Sequence, residues 1–323
     1  MTPPKSHAKR DLLSIMDLDR GDVDEIFEHA FSLKAAWSAR KQTPVLQGCT
    51  LAMIFEKPSL RTRSTFEVGI AQLGGQSIEL SNANIGMGVR ESVADIARNI
   101  DRWCDLIMIR TFAQSRVEEM AANAKAPVIN GLTDYDHPCQ ALADVMTLME
   151  KIGSRDMKGF PVAFIGDGNN VCHSLMCLAG LLGMDFRSAA PPGYEPKPRF
   201  VEWARNAAKK SGARITIIND PREALRGARA VYTDTWASMG QEHEQGAREV
   251  LFKEFQLNAA MLSHAERGAY VMHCLPAHRG EEITDDVMDG PQSIVFDQSE
   301  HRLHAQKGVM AWLAEKAGVQ GFK

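Results

Sequence analysis

Two hydrophobic periods alternate along this chain. Short apolar runs at residues 51–55, 106–109, 127–130, 162–165, 186–190, 215–218, 230–232, 270–273 and 293–296 predict buried strands. Between them lie stretches with helical spacing. Residues 19–42 put Val23, Ile26, Phe27, Ala30, Leu33 and Trp37 on one face, with Asp19 as cap and Thr43-Pro44 as the stop. Ser92 caps a second, with Val93, Ile96, Ala97, Ile100 and Trp103 on one face. Further helices are predicted at 114–124, from His137 to about Lys151, up to Gly183, up to Gly212, near Glu223, and from Arg302 to about Ala317. Strands alternating with helices imply parallel sheets. The pattern breaks once, at the polar residues 153–160, and then restarts. The expectation is an α/β protein of two domains, 1–150 and 151–300, each a mostly parallel sheet flanked by helices, with a last helix in 301–323.

One strand-to-helix junction concentrates chemistry. The run 51–55 stops at Pro58, and helical spacing resumes with Phe66, Ile70 and Leu73 before Gly74-Gly75. The turn between them holds Lys57, Ser59, Arg61, Thr62 and Arg63. A helix N-terminus presents unpaired N–H groups and partial positive charge. With hydroxyls and guanidinium groups added, it suits a phosphate-like anion. An ordinary capped helix with a solvated basic turn would share some of these residues; their packing into a single turn favours the anion site.

Other strands also end in polar clusters: Arg110; His137 and Gln140; Asn169 and Asn170; Asp234 and Ser238; His273 and Cys274. Each alone reads as a surface or core residue. Ligands of parallel sheets bind at that edge, so the repetition is what points to a site. Gly166-x-Gly168 after a strand invites a dinucleotide reading, but Val171 stands where the third glycine is needed. The loop 81–90 is polar and Gly-rich, as binding loops and plain connections both are.

Composition narrows the class. The chain has 323 residues, a formal net charge of -4 and no apolar run long enough to span a membrane. That argues against a protein built mainly to bind nucleic acid and against a membrane protein. Residues 1–10 carry no signal-peptide core, and six scattered cysteines look like reduced thiols, so a cytoplasmic location is expected. His273-Cys274 with His278 is a weak metal pattern, and no metal is expected.

Lys57-Pro58-Ser59-Leu60-Arg61-Thr62-Arg63 resembles the carbamoyl-phosphate signature of the aspartate/ornithine carbamoyltransferase family. Leu60 stands where that signature often has Thr. Arg110 and His137-Pro138-Cys139-Gln140 resemble the family's carbamoyl-group contacts, and Arg302 its late arginine at the same substrate. Asp234-x-x-x-Ser238-Met239-Gly240 and His273-Cys274-Leu275-Pro276 resemble the ornithine branch, where Asn170 matches the Asn that holds the amino acid. The loop position where some relatives place a His or Gln that reaches a neighbouring subunit is here Gly86.

The resemblance covers nearly the whole chain, and several expectations follow from it. Ser59, Leu60, Arg61, Thr62, Arg110, His137, Gln140, Cys274, Leu275 and Arg302 would bind carbamoyl phosphate. Asn170, Asp234, Ser238 and Met239 would bind ornithine, and Arg110, His137, Asp234 and Cys274 would be catalytic. The expected reaction carbamoylates the δ-amine of L-ornithine to give citrulline and phosphate, in arginine biosynthesis, without a cofactor. Alternatives are another amine acceptor (aspartate, putrescine, N-acylornithine) or a non-catalytic carbamoyl-phosphate binder. A homotrimer, closure of the domains on binding, and a C-terminal helix returning to the first domain are also implied.

Overall fold

The structure, a computed structural model, describes residues 9–237 and 244–319. The first half runs α1 (Arg20–Ser38), β1 (Thr50–Phe55), α2 (Leu60–Gln72), β2 (Gln76–Ser81), α3 (Asn82–Ile85), α4 (Val93–Ile100), β3 (Leu106–Arg110), α5 (Gln114–Asn123), β4 (Val128–Leu132) and α6 (Pro138–Ile152). The second continues with β5 (Pro161–Ile165), α7 (Asn170–Leu182), β6 (Asp185–Ala189), α8 (Pro198–Ser211), β7 (Arg214–Ile218), α9 (Pro221–Leu225) and β8 (Ala230–Thr233). It ends with α10 (Gln245–Phe252), α11 (Ala259–Leu262), β9 (Tyr270–Met272), α12 (Asp285–Met288) and α13 (Val295–Ala317).

The chain divides into two compact units, one of Met1–Cys139 with Arg302–Lys323 and one of Gln140–His301. Each unit is built on a parallel sheet. The first has order β2-β1-β3-β4 and the second β7-β6-β5-β8-β9. Strand order reverses between β1 and β3 in one sheet and between β5 and β8 in the other. A crevice opens at the carboxyl ends of strands at such a switch point. The residues at or just beyond the ends of those four strands are the ones the sequence marks: the 56–63 stretch, Arg110, the 166–170 stretch and Asp234.

Several local expectations are corrected. The predicted strand at 293–296 is absent: Ser293 makes one isolated bridge with Val271, and Val295 already opens α13. α13 therefore starts ahead of Arg302, which sits within the helix. The residues from Arg302 onward belong with the first unit, where Trp312 Nε1 donates to Glu25 of α1 at 2.9 Å. A Cβ on Gly308 would come within 2.7 Å of the Ile26 carbonyl, so glycine lets α13 lie close on α1. α2 begins at Leu60, ahead of the apolar spacing that resumes at Phe66, because Ser59 accepts from Thr62 N and caps it. α4 ends at Ile100, leaving Trp103 outside the helix and 67% exposed. Trp37 is likewise half exposed.

Candidate active site

In the first unit the donors gather on the first turn of α2. Thr62 is fully buried, and its Oγ1 accepts from Arg110 at the end of β3 and from Arg302 of α13, each at 3.3 Å. Two guanidinium groups are thereby brought to the positive end of a helix, which is a strong seat for an anion. His137, just before α6, lies beside them and is buried. Burial, reinforced by Arg302, Arg110 and Arg61, pushes its imidazole well below the ordinary value. His137 is therefore a neutral ring, able to donate one hydrogen bond without adding charge.

The three cations of the turn do not act together. Lys57 pairs with Asp134 and lies 4.1 Å over the Phe112 ring. Arg63 pairs with Glu79 at 2.6 Å. Arg61 is the one whose charge is felt at His137, and Arg110 and Arg302 take the places the other two vacate. The Leu60 side chain is 75% exposed, so only its backbone belongs to the helix terminus. Glu56, which the sequence did not single out, is held by Thr111 and Arg116 and braces the start of the turn. Gly86 has φ of 62° and ends α3; its carbonyl accepts from Arg90 N at 2.7 Å.

The second unit carries the other set. Asp234 follows β8 and is buried. Its Oδ1 accepts from the Cys274 thiol at 3.0 Å and its Oδ2 from Asn169 Nδ2 at 2.7 Å. Asn169 caps α7, which places buried Asn170 in the first turn. Sequence reading grouped Asn169 with Asn170 but gave it no task; its cap position was the available signal. Gly166, with φ of 122°, and Gly168, where a Cβ would lie 2.2 Å from Pro196 N, serve the turn itself. Gln140 donates to Asp144 at 2.7 Å in α6. Ser238 and Met239 lie outside the described residues.

Cys274 sits on a tightly tied turn. His273 Nδ1 accepts from Leu275 N at 2.9 Å, so the proton is on Nε2, which meets buried Glu282 at 3.0 Å. The backbone N–H of His273 donates to Gln298 at 3.0 Å. Leu275 has φ of 61°, a strained value for a branched residue. Ligand atoms of Asp234, His273 and Cys274 lie within 4.8 Å of one another, as do those of His278, Glu281 and Glu282. Both His273 nitrogens are already engaged, so this ring has no lone pair to offer a metal. The other cysteines are buried; burial pushes Cys139 and Cys172 up to about 12, which leaves them inert thiols.

Comparison with known proteins agrees with both units. A family model described as the carbamoyl-P binding domain of aspartate/ornithine carbamoyltransferase matches residues 10–150. A second, the Asp/Orn binding domain of the same family, matches residues 158–313. Ornithine carbamoyltransferase of Thermococcus kodakarensis is 49% identical over 95% of this chain and 96% of its own. That of Methanothermobacter thermautotrophicus is 50% identical over 94% and 98%. The solved structure of ornithine carbamoyltransferase from Pyrococcus furiosus superposes with a TM-score of 0.91 at 48% identity, covering 94% of this chain and 96% of that one. With both domain models matched in order and near-complete coverage at this identity, the chain belongs to the aspartate/ornithine carbamoyltransferase family.

Proposed function

We propose that this enzyme transfers the carbamoyl group of carbamoyl phosphate to the δ-amine of L-ornithine, giving L-citrulline and phosphate, in arginine biosynthesis. The observation that carries the reading is the meeting of Arg110 and Arg302 on Thr62 at the N-terminus of α2, an anion seat beside a neutral histidine. Support for ornithine as acceptor comes from relatives that bear that name at about half identity, one of them called anabolic.

The phosphate is held by Ser59, Arg61, Thr62 and the backbone of Leu60 at the helix terminus. As an amine attacks the carbonyl carbon, negative charge grows on its oxygen. Arg110, His137 and Thr62 are fixed donors for that charge. Gln140 holds the carbamoyl amide, and Leu275 and Arg302 complete the contacts. Asn170, Asp234, Ser238 and Met239 orient the amino acid, which turns a two-substrate encounter into a positioned one. The nucleophile must be a free amine. Removing a proton from an alkyl ammonium of pKa near 10.4 costs roughly 4 kcal/mol at neutral pH. Asp234 and Cys274 line the route by which that proton leaves.

The test is product formation by the purified chain with carbamoyl phosphate and ornithine, aspartate or putrescine. Citrulline from ornithine alone is the expected result. Product from another amine overturns the roles given to Asp234, Asn170 and Cys274. Binding of carbamoyl phosphate without any product favours a non-catalytic binder. We further propose a cytoplasmic homotrimer, on the family resemblance; light scattering at three times the 35.7 kDa of one chain is the expected mass.

A further inference from the structure

We propose that Glu282 is a positioning residue for this reaction, acting through His273 to hold the Cys274 thiol on Asp234. The consequence for turnover rests on the carbamoyl-transfer reading above; the geometry does not. Glu282 is fully buried, and its Oε1 meets His273 Nε2 at 3.0 Å and the backbone N–H of His278 at 2.6 Å. A buried carboxylate is costly unless it is hydrogen-bonded, and these bonds are what it is placed to make. They span the turn from both sides, closing residues 273–278 into a loop around one oxygen.

The tautomer follows from the same contacts. Glu282 requires a proton on His273 Nε2, which leaves Nδ1 as an acceptor. Nδ1 takes the Leu275 N–H at 2.9 Å and so supports the backbone at Leu275, whose φ of 61° is disfavoured for its side chain. Cys274 lies between these two fixed residues. Its thiol direction, 3.0 Å from Asp234 Oδ1, is thus set by a chain of contacts that begins at Glu282. Reach, not charge, is the property that matters. Glutamine keeps an acceptor oxygen at the same distance; aspartate keeps the charge but is one methylene short.

The experiment compares Glu282→Gln and Glu282→Asp in the full-length enzyme. The first readout needs no turnover. Five of the six cysteines are buried, so mild alkylation of the folded protein reports on Cys274, with Cys274→Ser as the blank. The Gln variant is expected to alkylate within about twofold of wild type, and the Asp variant at least about fivefold faster, as the thiol leaves Asp234. The second readout is kinetic. The Asp variant should lose roughly 30-fold in kcat and the Gln variant about threefold or less. Wild-type behaviour of the Asp variant in alkylation overturns the proposal, as does a Gln variant as damaged as Asp. If wild type makes no citrulline, the functional reading fails while the alkylation comparison still decides the role of Glu282. Should the Asp variant not fold, His273→Asn cuts the same link while keeping an acceptor near Nδ1. Faster alkylation supports the proposal there, and an unchanged rate overturns it.

Discussion

The Cys274 thiol donates to one oxygen of Asp234 at 3.0 Å while Asn169 donates to the other at 2.7 Å. The carboxylate at the end of β8 is therefore fixed by contacts from the segment after β9 and from the cap of α7. Two donors on one carboxylate make its charge and its orientation inseparable.

Asp234→Asn must turn an NH2 toward one of those two donors, and it also removes the charge. A loss of about 10²–10³ in kcat/KM for ornithine is expected, the scale of a charge-assisted hydrogen bond plus a donor left unmatched. Cys274→Ser keeps a donor on a shorter bond and should lower kcat roughly tenfold. Steady-state kinetics with calorimetric titration of carbamoyl phosphate checks both. Weaker carbamoyl-phosphate binding with kcat intact would take Cys274 away from the ornithine side.

Removing the ammonium proton should make the rate pH-dependent. With both substrates saturating, kcat is expected to rise from pH 6 toward 9, by up to tenfold per unit where deprotonation limits. A rate flat over that range sinks the proton-exit role of Asp234 and Cys274.

Thr62→Val leaves the two guanidinium groups of Arg110 and Arg302 without the Oγ1 they share. Losing a buried hydrogen-bond partner costs about 1–3 kcal/mol, so the denaturation midpoint should fall and the KM for carbamoyl phosphate should rise about 10- to 100-fold. Thr62→Ser restores the oxygen and should lie within about threefold of wild type. A Val variant close to wild type with a damaged Ser variant would show that the methyl, not the hydroxyl, is what Thr62 supplies.

Leu60 offers the reverse case. Its side chain is 75% exposed, so a contact to phosphate there is a backbone one. Leu60→Ser should leave kcat/KM within about threefold, and Leu60→Pro, which deletes the N–H at a position where proline still fits a helix, should weaken carbamoyl-phosphate binding. A large effect of the Ser variant would give the side chain a role that its exposure denies it.

The two sheets were legible because each buried strand is a short apolar run and each crossover helix has its own period. So was the edge of the sheets that carries the polar clusters, since Arg110 ends β3 and Asp234 directly follows β8. The failures share a physical cause. Ser293 to Phe296 is as apolar as a strand, but Phe296 is exposed and only Val295 and Ile294 face the core, an arrangement that suits a helix start. Lys57 and Arg63 look like anion ligands in a list of residues; only three-dimensional neighbours, Asp134 and Glu79, reveal them as paired elsewhere. Glu282 lay in a polar run with no period, and its burial against His273 comes from the tertiary fold.

His137 supplies the last test, through stability. Burial first, then Arg302, Arg110 and Arg61, hold its imidazole well below the ordinary value. Below about pH 6.5 the unfolded chain takes up a proton on this ring that the folded protein refuses. The unfolded state then binds more protons, so stability rises with pH: it is full above about 6.5 and is lost as pH falls from there toward the depressed folded value. The loss approaches about 1.4 kcal/mol per pH unit for one such group. Denaturant unfolding of wild type between pH 7 and 5 should show this slope, and His137→Asn should be flatter by that amount. Taking the difference between the two proteins cancels the other histidines. If the Asn variant keeps the full acid slope, the folded protein takes up this proton as readily as the unfolded chain, and the argument that burial and the three arginines keep the ring neutral fails.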